Sequence, residues 1–256
     1  MSHPIKTRIF GPANPASEIE KIVSTHPLSD IQVIAKLSHN ETLQILSSQT
    51  IPKKWPKIDL VIDAALASGF TQRVQWCVDQ QINMLVATTG WLDNKQSIAQ
   101  IVHNKIHLLY QANFALGYQL YQQILVSLTK NLPSAEYAHL EETHNASKKD
   151  LPSGSALEIK SLLQNPACNL KNLSISSLRF AGENYESLHL KKNLVAQHSF
   201  VIQSNGEEIE VIHRTFSRLP YAKGAIECAR VFVQMINTGA IPNKELIFTL
   251  PTDPLQ

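Results

Sequence analysis

The chain has 256 residues and a mass of 28.6 kDa, enough to bury one large apolar core or two modest ones. With 43% hydrophobic and 17% charged residues, a formal net charge of +2 and Lys and Arg spread along its length, it lacks the electrostatic footprint of a nucleic-acid binder. It also has no apolar run long enough for a membrane span, so any acidic ligand is expected to be small and met locally.

Met1–Arg8 shows no apolar segment behind a basic one, which sets the expectation of a cytoplasmic protein. Short β-rich runs then alternate with helix-like segments. Strands are expected over Ile5–Phe10, Ile31–Leu37, Ile58–Ala64, Asn83–Ala87 and Ile106–Ala112, and helices over Ala16–Ser24, Glu41–Ser48, Thr71–Gln80 and Lys95–Asn104. This alternation predicts βαβ units in an α/β, doubly wound parallel sheet with helices on both faces. After Asn113 the rhythm changes. An amphipathic helix over Leu116–Thr129 is closed by Asn131-Leu132-Pro133, and a strand follows over Glu136–Glu142. Beyond a helix starting near Ser153 come β-rich runs at Leu173–Phe180, Leu194–Gln203 and Glu207–Phe216, the last two joined by the hairpin signal Ser204-Asn205-Gly206. Strands joined this way make an antiparallel or mixed sheet, so a second, α+β domain is expected from near residue 115.

Three stretches carry candidate chemistry. The first strand ends at Gly11, and the turn Pro12-Ala13-Asn14-Pro15-Ala16-Ser17-Glu18 leads into a helix, where amide groups could meet a pyrophosphate. Of the three glycines such a turn normally carries, only Gly11 is present. Asn14 and Ser17 stand at the other two places, and Asn14 tolerates positive φ and caps helices well. The second stretch is Thr88-Thr89-Gly90, at the end of a predicted strand, where two hydroxyls could serve as donors or simply form a turn. The third is the polar run Glu141–Ala156. Ser153 can cap the following helix and leave the Gly154 and Ser155 amides free for a carboxylate, Lys148 adds a full positive charge, and His144 can give a proton near neutral pH. A solvated loop with a helix cap is the alternative. Cys77, Cys168 and Cys228 are widely spaced and odd in number, as expected of reduced thiols, and no metal site is expected.

The run from His144 to Ala156 resembles the substrate loop of the dihydrodipicolinate reductases. Further stretches match that family in order: Gly11, Val61-Ile62-Asp63, Thr88-Thr89-Gly90, Ala112-Asn113-Phe114 with Gly117, and Ser217-Arg218 through Tyr221–Ala225. Ala196-Gln197-His198 and Glu207–His213 resemble its antiparallel sheet. The resemblance implies a Rossmann-like dinucleotide domain made of 1–114 and 226–256, closed by a last helix after Ala225. A central domain over 115–225 would bind substrate and form a homotetramer. It also implies hydride transfer from NADPH or NADH to 4-hydroxy-tetrahydrodipicolinate, a small dicarboxylate. His144 falls on the position of the acid and Lys148 on that of a substrate-binding lysine. Asn145, Ser153, Gly154, Ser155 and Thr89 fall on substrate positions, and Gly11, Asn14, Ser17, Lys36, Thr88, Asn113 and Phe114 on cofactor positions.

The chain departs from the family pattern where Asn145 replaces the second histidine of a pair, Ser155 a threonine and Leu151 an alanine, and where two turn glycines are lost. Residues 183–192 look like an insertion. Ile34-Ala35-Lys36 ends the second strand with a cation and no carboxylate for the ribose hydroxyls, which tips the expectation towards NADPH. Asn145 and the altered turn leave open a non-catalytic or repurposed relative with a different ligand.

Overall fold

A computed structural model describes residues 4–11, 14–25, 31–37, 39–48, 57–132, 137–146, 148, 150–166, 168, 170, 172–180, 193–241 and 243–247. The turn residues 12 and 13 and the whole of the expected insertion at 183–192 lie outside them. The chain divides into two compact units, one of Met1–Phe114 with Tyr221–Gln256 and one of Ala115–Pro220. Among the described residues no helix is long and apolar enough to cross a membrane.

In the first unit, β1 (Ile5–Phe10), β2 (Ile31–Leu37), β3 (Leu60–Asp63), β4 (Asn83–Val86), β5 (Leu108–Tyr110) and β10 (Leu246–Ile247) form one sheet in the order β10-β5-β4-β3-β1-β2. All neighbouring pairs are parallel. The central strands are near-continuous apolar runs because both faces are covered. Successive residues serve opposite layers. Phe10, Val61, Met84, Val86 and Leu108 pack with Phe70, Val74 and Cys77 of α3 (Phe70–Asp79) and Ile98 and Val102 of α4 (Lys95–Val102). Ile9, Leu60, Ile62, Leu85 and Leu109 pack with Ile19 of α1 (Asn14–Thr25) and Ala225, Ala229 and Phe232 of α7 (Leu219–Thr238). Each fully buried aliphatic or aromatic side chain contributes roughly 1.5–3 kcal/mol. The doubly wound sheet expected from the alternation is the one observed. The helix α2 (His39–Ser48) follows β2.

The last helix starts at Leu219, seven residues earlier than the expected position after Ala225. Pro220 suits its first turn, and Gly224 is carried through without a break. The two-residue β10 was not expected, since so short a segment has no periodicity to read.

In the second unit, α5 (Leu116–Asn131) packs against α6 (Gly154–Leu163) and the last strand of a four-stranded sheet. The strands are β6 (Tyr137–Asn145), β7 (Ser174–Phe180), β8 (Ala196–Ser204) and β9 (Glu207–Thr215), in the order β7-β6-β8-β9. The β6–β7 pair is parallel and the other two are antiparallel, so the sheet is mixed. Asn205 and Gly206 take φ of 53° and 79°, as a two-residue hairpin turn requires. β6 runs three residues beyond the expected Glu142, so His144 stands on a strand, not in a loop. Pairing with β7 through Asn145, and with β8 through His144, outweighs the weak strand preference of Asn145.

Candidate active site

The strand register builds a row of polar side chains across the second unit. Glu142 on β6 is level with Ser177 on β7 and His198 on β8, and His198 is level with His213 on β9. His144, two residues on, shares the face of Glu142 and is level with Arg179. α5 covers this row: Tyr118 meets His198 edge-on at 5.8 Å and Tyr121 stacks on His213 at 5.8 Å.

Glu142 is fully buried, and its Oε1 accepts from three groups: the Ser153 amide at 2.9 Å, the Ser177 hydroxyl at 2.8 Å and Arg179 Nη2 at 2.9 Å. Arg179 Nη2 also donates to the Asp150 carbonyl at 2.7 Å, tying the strand to the loop before α6. Glu142 Oε2 lies 3.4 Å from His144 Nε2 and 3.9 Å from His198 Nε2. Burial pushes the Glu142 carboxyl up, but His144, Ser153, Arg179 and Ser177 outweigh it and hold the group well below the usual carboxylate range. Burial drives His198 down to about 3, reinforced by His144 and opposed by Glu142. His198 is therefore neutral near pH 7. The donor atoms of Glu142, His144 and His198 lie within 4.8 Å of one another, a spacing and donor set that could hold a divalent ion. Arg179, however, already compensates the carboxylate.

Ser153 caps α6 as expected, its Oγ accepting from the Ala156 amide at 3.1 Å. The Gly154 amide is not free, which corrects the expectation: it donates to Asp150 Oδ2 at 3.3 Å. A carboxylate two residues beyond Lys148 reaches the positive helix end first, and Lys148 Nζ in turn pairs with Asp150 at 2.8 Å. Burial would raise the Asp150 carboxyl, yet Lys148 and the Gly154 amide hold it below its ordinary value. Ser155 contributes its carbonyl to the Tyr118 hydroxyl at 2.7 Å, and its amide meets no acceptor among the described residues. Asn145 is exposed at the strand end, and alternation directs it to the face opposite His144. Its carbonyl accepts from the Lys148 amide at 3.0 Å.

In the first unit, Gly11 follows β1 at the carboxyl edge of the sheet, at the switch point between β1 and β3 where strand order reverses and ligands bind in such folds. Its φ is +140°, and a Cβ there would stand 2.5 Å from the Ala64 carbonyl oxygen, so only glycine fits. α1 begins at Asn14, as the altered turn permits, and the Asn14 side chain lies outside the described atoms. Lys36 Nζ pairs with Glu20 at 2.8 Å and donates to Ser17 Oγ at 3.2 Å, so the structure brings Ser17 and Lys36 together. The Thr88 hydroxyl is committed to Asp63 and to the Ala65 carbonyl, and its own carbonyl accepts from Trp91 Nε1, so the donor expected there is already used. Asp63 is held in turn by Arg73 Nε at 2.6 Å. Thr89 is half-buried beside Gly90, Asn113 is buried, and Phe114 belongs to the apolar core. All three cysteines are free and buried, and burial pushes the Cys228 thiol up to about 12, which leaves it inert.

Glu142, Ser177, Arg179 and His198 were missed as site residues. Glu142 alone left a signal, standing two residues from His144, but reading it needed β6 to extend through Asn145. The other three come from strands far along the chain and meet it only through register.

Two models of one family match the chain. The model described as "Dihydrodipicolinate reductase, N-terminus" matches residues 13–114, and that described as "Dihydrodipicolinate reductase, C-terminus" matches residues 117–245. The 4-hydroxy-tetrahydrodipicolinate reductase of Buchnera aphidicola subsp. Schizaphis graminum (strain Sg) is 29% identical over 216 residues, covering 81% of this chain and 79% of the relative. That of Thermosipho africanus (strain TCF52B) is 24% identical over 217 residues, covering 85% and 90%. Among solved structures, the dipicolinate-bound dihydrodipicolinate reductase from Paenisporosarcina sp. TG-14 superposes with a TM-score of 0.61 at 19% identity, over 96% of this chain and 98% of that one.

Proposed function

The chain belongs to the dihydrodipicolinate reductase family and is an oxidoreductase, and from that premise we propose that it reduces 4-hydroxy-tetrahydrodipicolinate to tetrahydrodipicolinate on the route to diaminopimelate and lysine. Substrate, one hydride and one proton give tetrahydrodipicolinate and water. The hydride is the part supplied by a bound nicotinamide dinucleotide. Gly11 lets the turn after β1 pack against the Ala64 carbonyl, at the sheet edge where a pyrophosphate would meet the start of α1, while Ser17 and Lys36 stand beside that helix start to meet the ribose end. The balance favours NADPH, since β2 ends in the cation Lys36 without a carboxylate of its own for the ribose hydroxyls, and Glu20 of α1 is already paired with that cation.

The second unit takes the dicarboxylate. His144 supplies the proton, Lys148 pairs with one carboxylate, and Ser153, Gly154 and Ser155 offer the capped helix start. The observation that carries this reading is the anchored Glu142 beneath His144, since a buried charge so fully supported is costly unless it serves a purpose. Asn145 and Thr89 are kept as substrate contacts on the resemblance alone, as are Asn14, Thr88, Asn113 and Phe114 as cofactor contacts.

A steady-state assay with enzymatically generated substrate, following nicotinamide oxidation, tests the reading. Turnover well above background with either nucleotide is expected, and none in folded protein would overturn it. Lys148→Ala should raise KM by about tenfold, the low end of a charge-assisted contact, because its side chain is one-third exposed and screened. An unchanged KM and kcat would remove Lys148 from the site.

A further inference from the structure

Resting on the reading of His144 as the proton donor, we propose that Glu142 is a positioning residue that holds the His144 ring through Nε2, so that the proton delivered to substrate leaves from Nδ1. The carboxylate has little freedom of its own. Oε1 is fixed by three donors from two separate segments, Ser153 at the start of α6 and Ser177 and Arg179 on β7. With the carboxyl plane set, Oε2 is aimed at His144 Nε2, 3.4 Å away, and neither atom has a hydrogen-bond partner elsewhere among the described residues. Both residues stand on one face of β6, whose backbone is paired on both sides, so their separation is set by the sheet.

A gap of 3.4 Å is longer than a formed N–H···O bond, and such contacts often tighten when a site is filled. The two nitrogens lie on different edges of the imidazole ring. With Nε2 turned inward to the carboxylate, Nδ1 is the nitrogen left to face a ligand. The proton transfer then balances simply. The doubly protonated ring gives up its Nδ1 proton, the electron pair of that N–H bond stays on nitrogen, and a neutral ring remains with Nε2–H directed at Glu142. Glu142 stays a carboxylate throughout and does not touch the reacting atoms. His198, on the far side of Oε2 at 3.9 Å, is neutral near pH 7 and is no rival source of the proton.

Glu142→Gln separates this role from simple support. The three donors at Oε1 keep an oxygen in that place, so the amide nitrogen replaces Oε2. An amide N–H donates, and it demands an unprotonated Nε2, which drives the ring proton to Nδ1. A carboxylate-to-amide change behind a catalytic histidine can cost about 10⁴ in kcat through the wrong tautomer. Here kcat is expected to fall by about 10²–10⁴ while KM changes by less than about threefold.

Nitrogen-15 NMR of the histidine rings, with His144 assigned by its loss in His144→Gln, reads the tautomer directly. The neutral ring should carry its proton on Nε2 in the wild type and on Nδ1 in Glu142→Gln. A wild-type proton on Nδ1, or a Glu142→Gln protein with wild-type kcat, overturns the proposal. Should Glu142→Gln fail to fold, the wild-type spectrum decides by itself. Undiminished turnover in His144→Gln would instead remove His144 as the donor, which is the failure of the broader reading and not of this one alone.

Discussion

Lys36 shows how one side chain can be placed by the sequence and yet have its availability set by its neighbours. Its position at the end of β2 follows from the strand pattern, but its ammonium is paired with Glu20 at 2.8 Å. That pair is exposed and contributes little to stability, so it can be traded for a phosphate. Glu20 then acts as a competitor for the cation. Lys36→Ala should weaken NADPH far more than NADH, because only NADPH carries the 2′-phosphate. Glu20→Gln should do the reverse and tighten NADPH by a few-fold while leaving NADH nearly unchanged. Calorimetric titration of both nucleotides into both variants checks this, and equal changes for the two nucleotides would exclude Lys36 from the phosphate. Gly11 is the opposite case, legible from sequence as the end of a strand and confirmed by a backbone contact that no other residue tolerates.

The element that matters most is β6. As a strand through Asn145 it brings Glu142 and His144 to the covered face and sets Glu142 beside His198, which in turn lies beside His213. Burying histidines has a thermodynamic cost that depends on pH. His198 falls from the ordinary 6.5 to about 3 on folding, so its folded value lies below its unfolded one. As pH drops, the unfolded chain takes the proton first. Stability is intact above about 6.5 and is lost steadily between there and about 3. The loss amounts to about 2 kcal/mol at pH 5. His213, lowered by burial, adds to it with the same sign. Glu142, held low, loses its contribution only below the usual carboxylate range, in a more acidic window. Urea unfolding at pH 7.5 and pH 5 should therefore show a stability loss in the wild type that His198→Phe reduces by about half or more. An equal loss in the two proteins would mean that His198 is not held neutral.

At the scale of the molecule, one face of the second unit's sheet is partly exposed among the described residues, with Thr143, Phe180 and Ser199 buried on it. Tyr137, Leu178, Val201 and Ile212 lie there among polar residues, with Tyr137 47% and Leu178 37% exposed. A sheet face that is partly exposed can be solvated or can meet copies of itself in a symmetric assembly. We propose the homotetramer that the family resemblance implies, built from chains of 28.6 kDa. Sedimentation equilibrium should give a mass about four times that of the chain, and a Tyr137→Glu and Leu178→Glu double variant should lower it. A monomer in the wild type would remove the assembly.

The sequence by itself determined the alternation of strands and helices, the doubly wound class, the change of rhythm near residue 115, the hairpin at Asn205-Gly206 and the cap at Ser153. These are local properties, set by side-chain period, turn chemistry and backbone freedom within a few residues. It also marked His144 and Lys148, whose chemistry is readable one residue at a time. Tertiary structure alone decided that β6 runs on to Asn145, that Gly154's amide is taken by Asp150, and that Ser177, Arg179 and His198 converge on Glu142. The strand extension and the convergence on Glu142 depend on register between strands 35 or more residues apart in the chain, as Ser177 from Glu142 shows, whereas the Asp150 contact spans four residues and depends on how the loop before α6 closes. A carboxylate's burial and partners are properties of that register, and no window of neighbouring residues contains them.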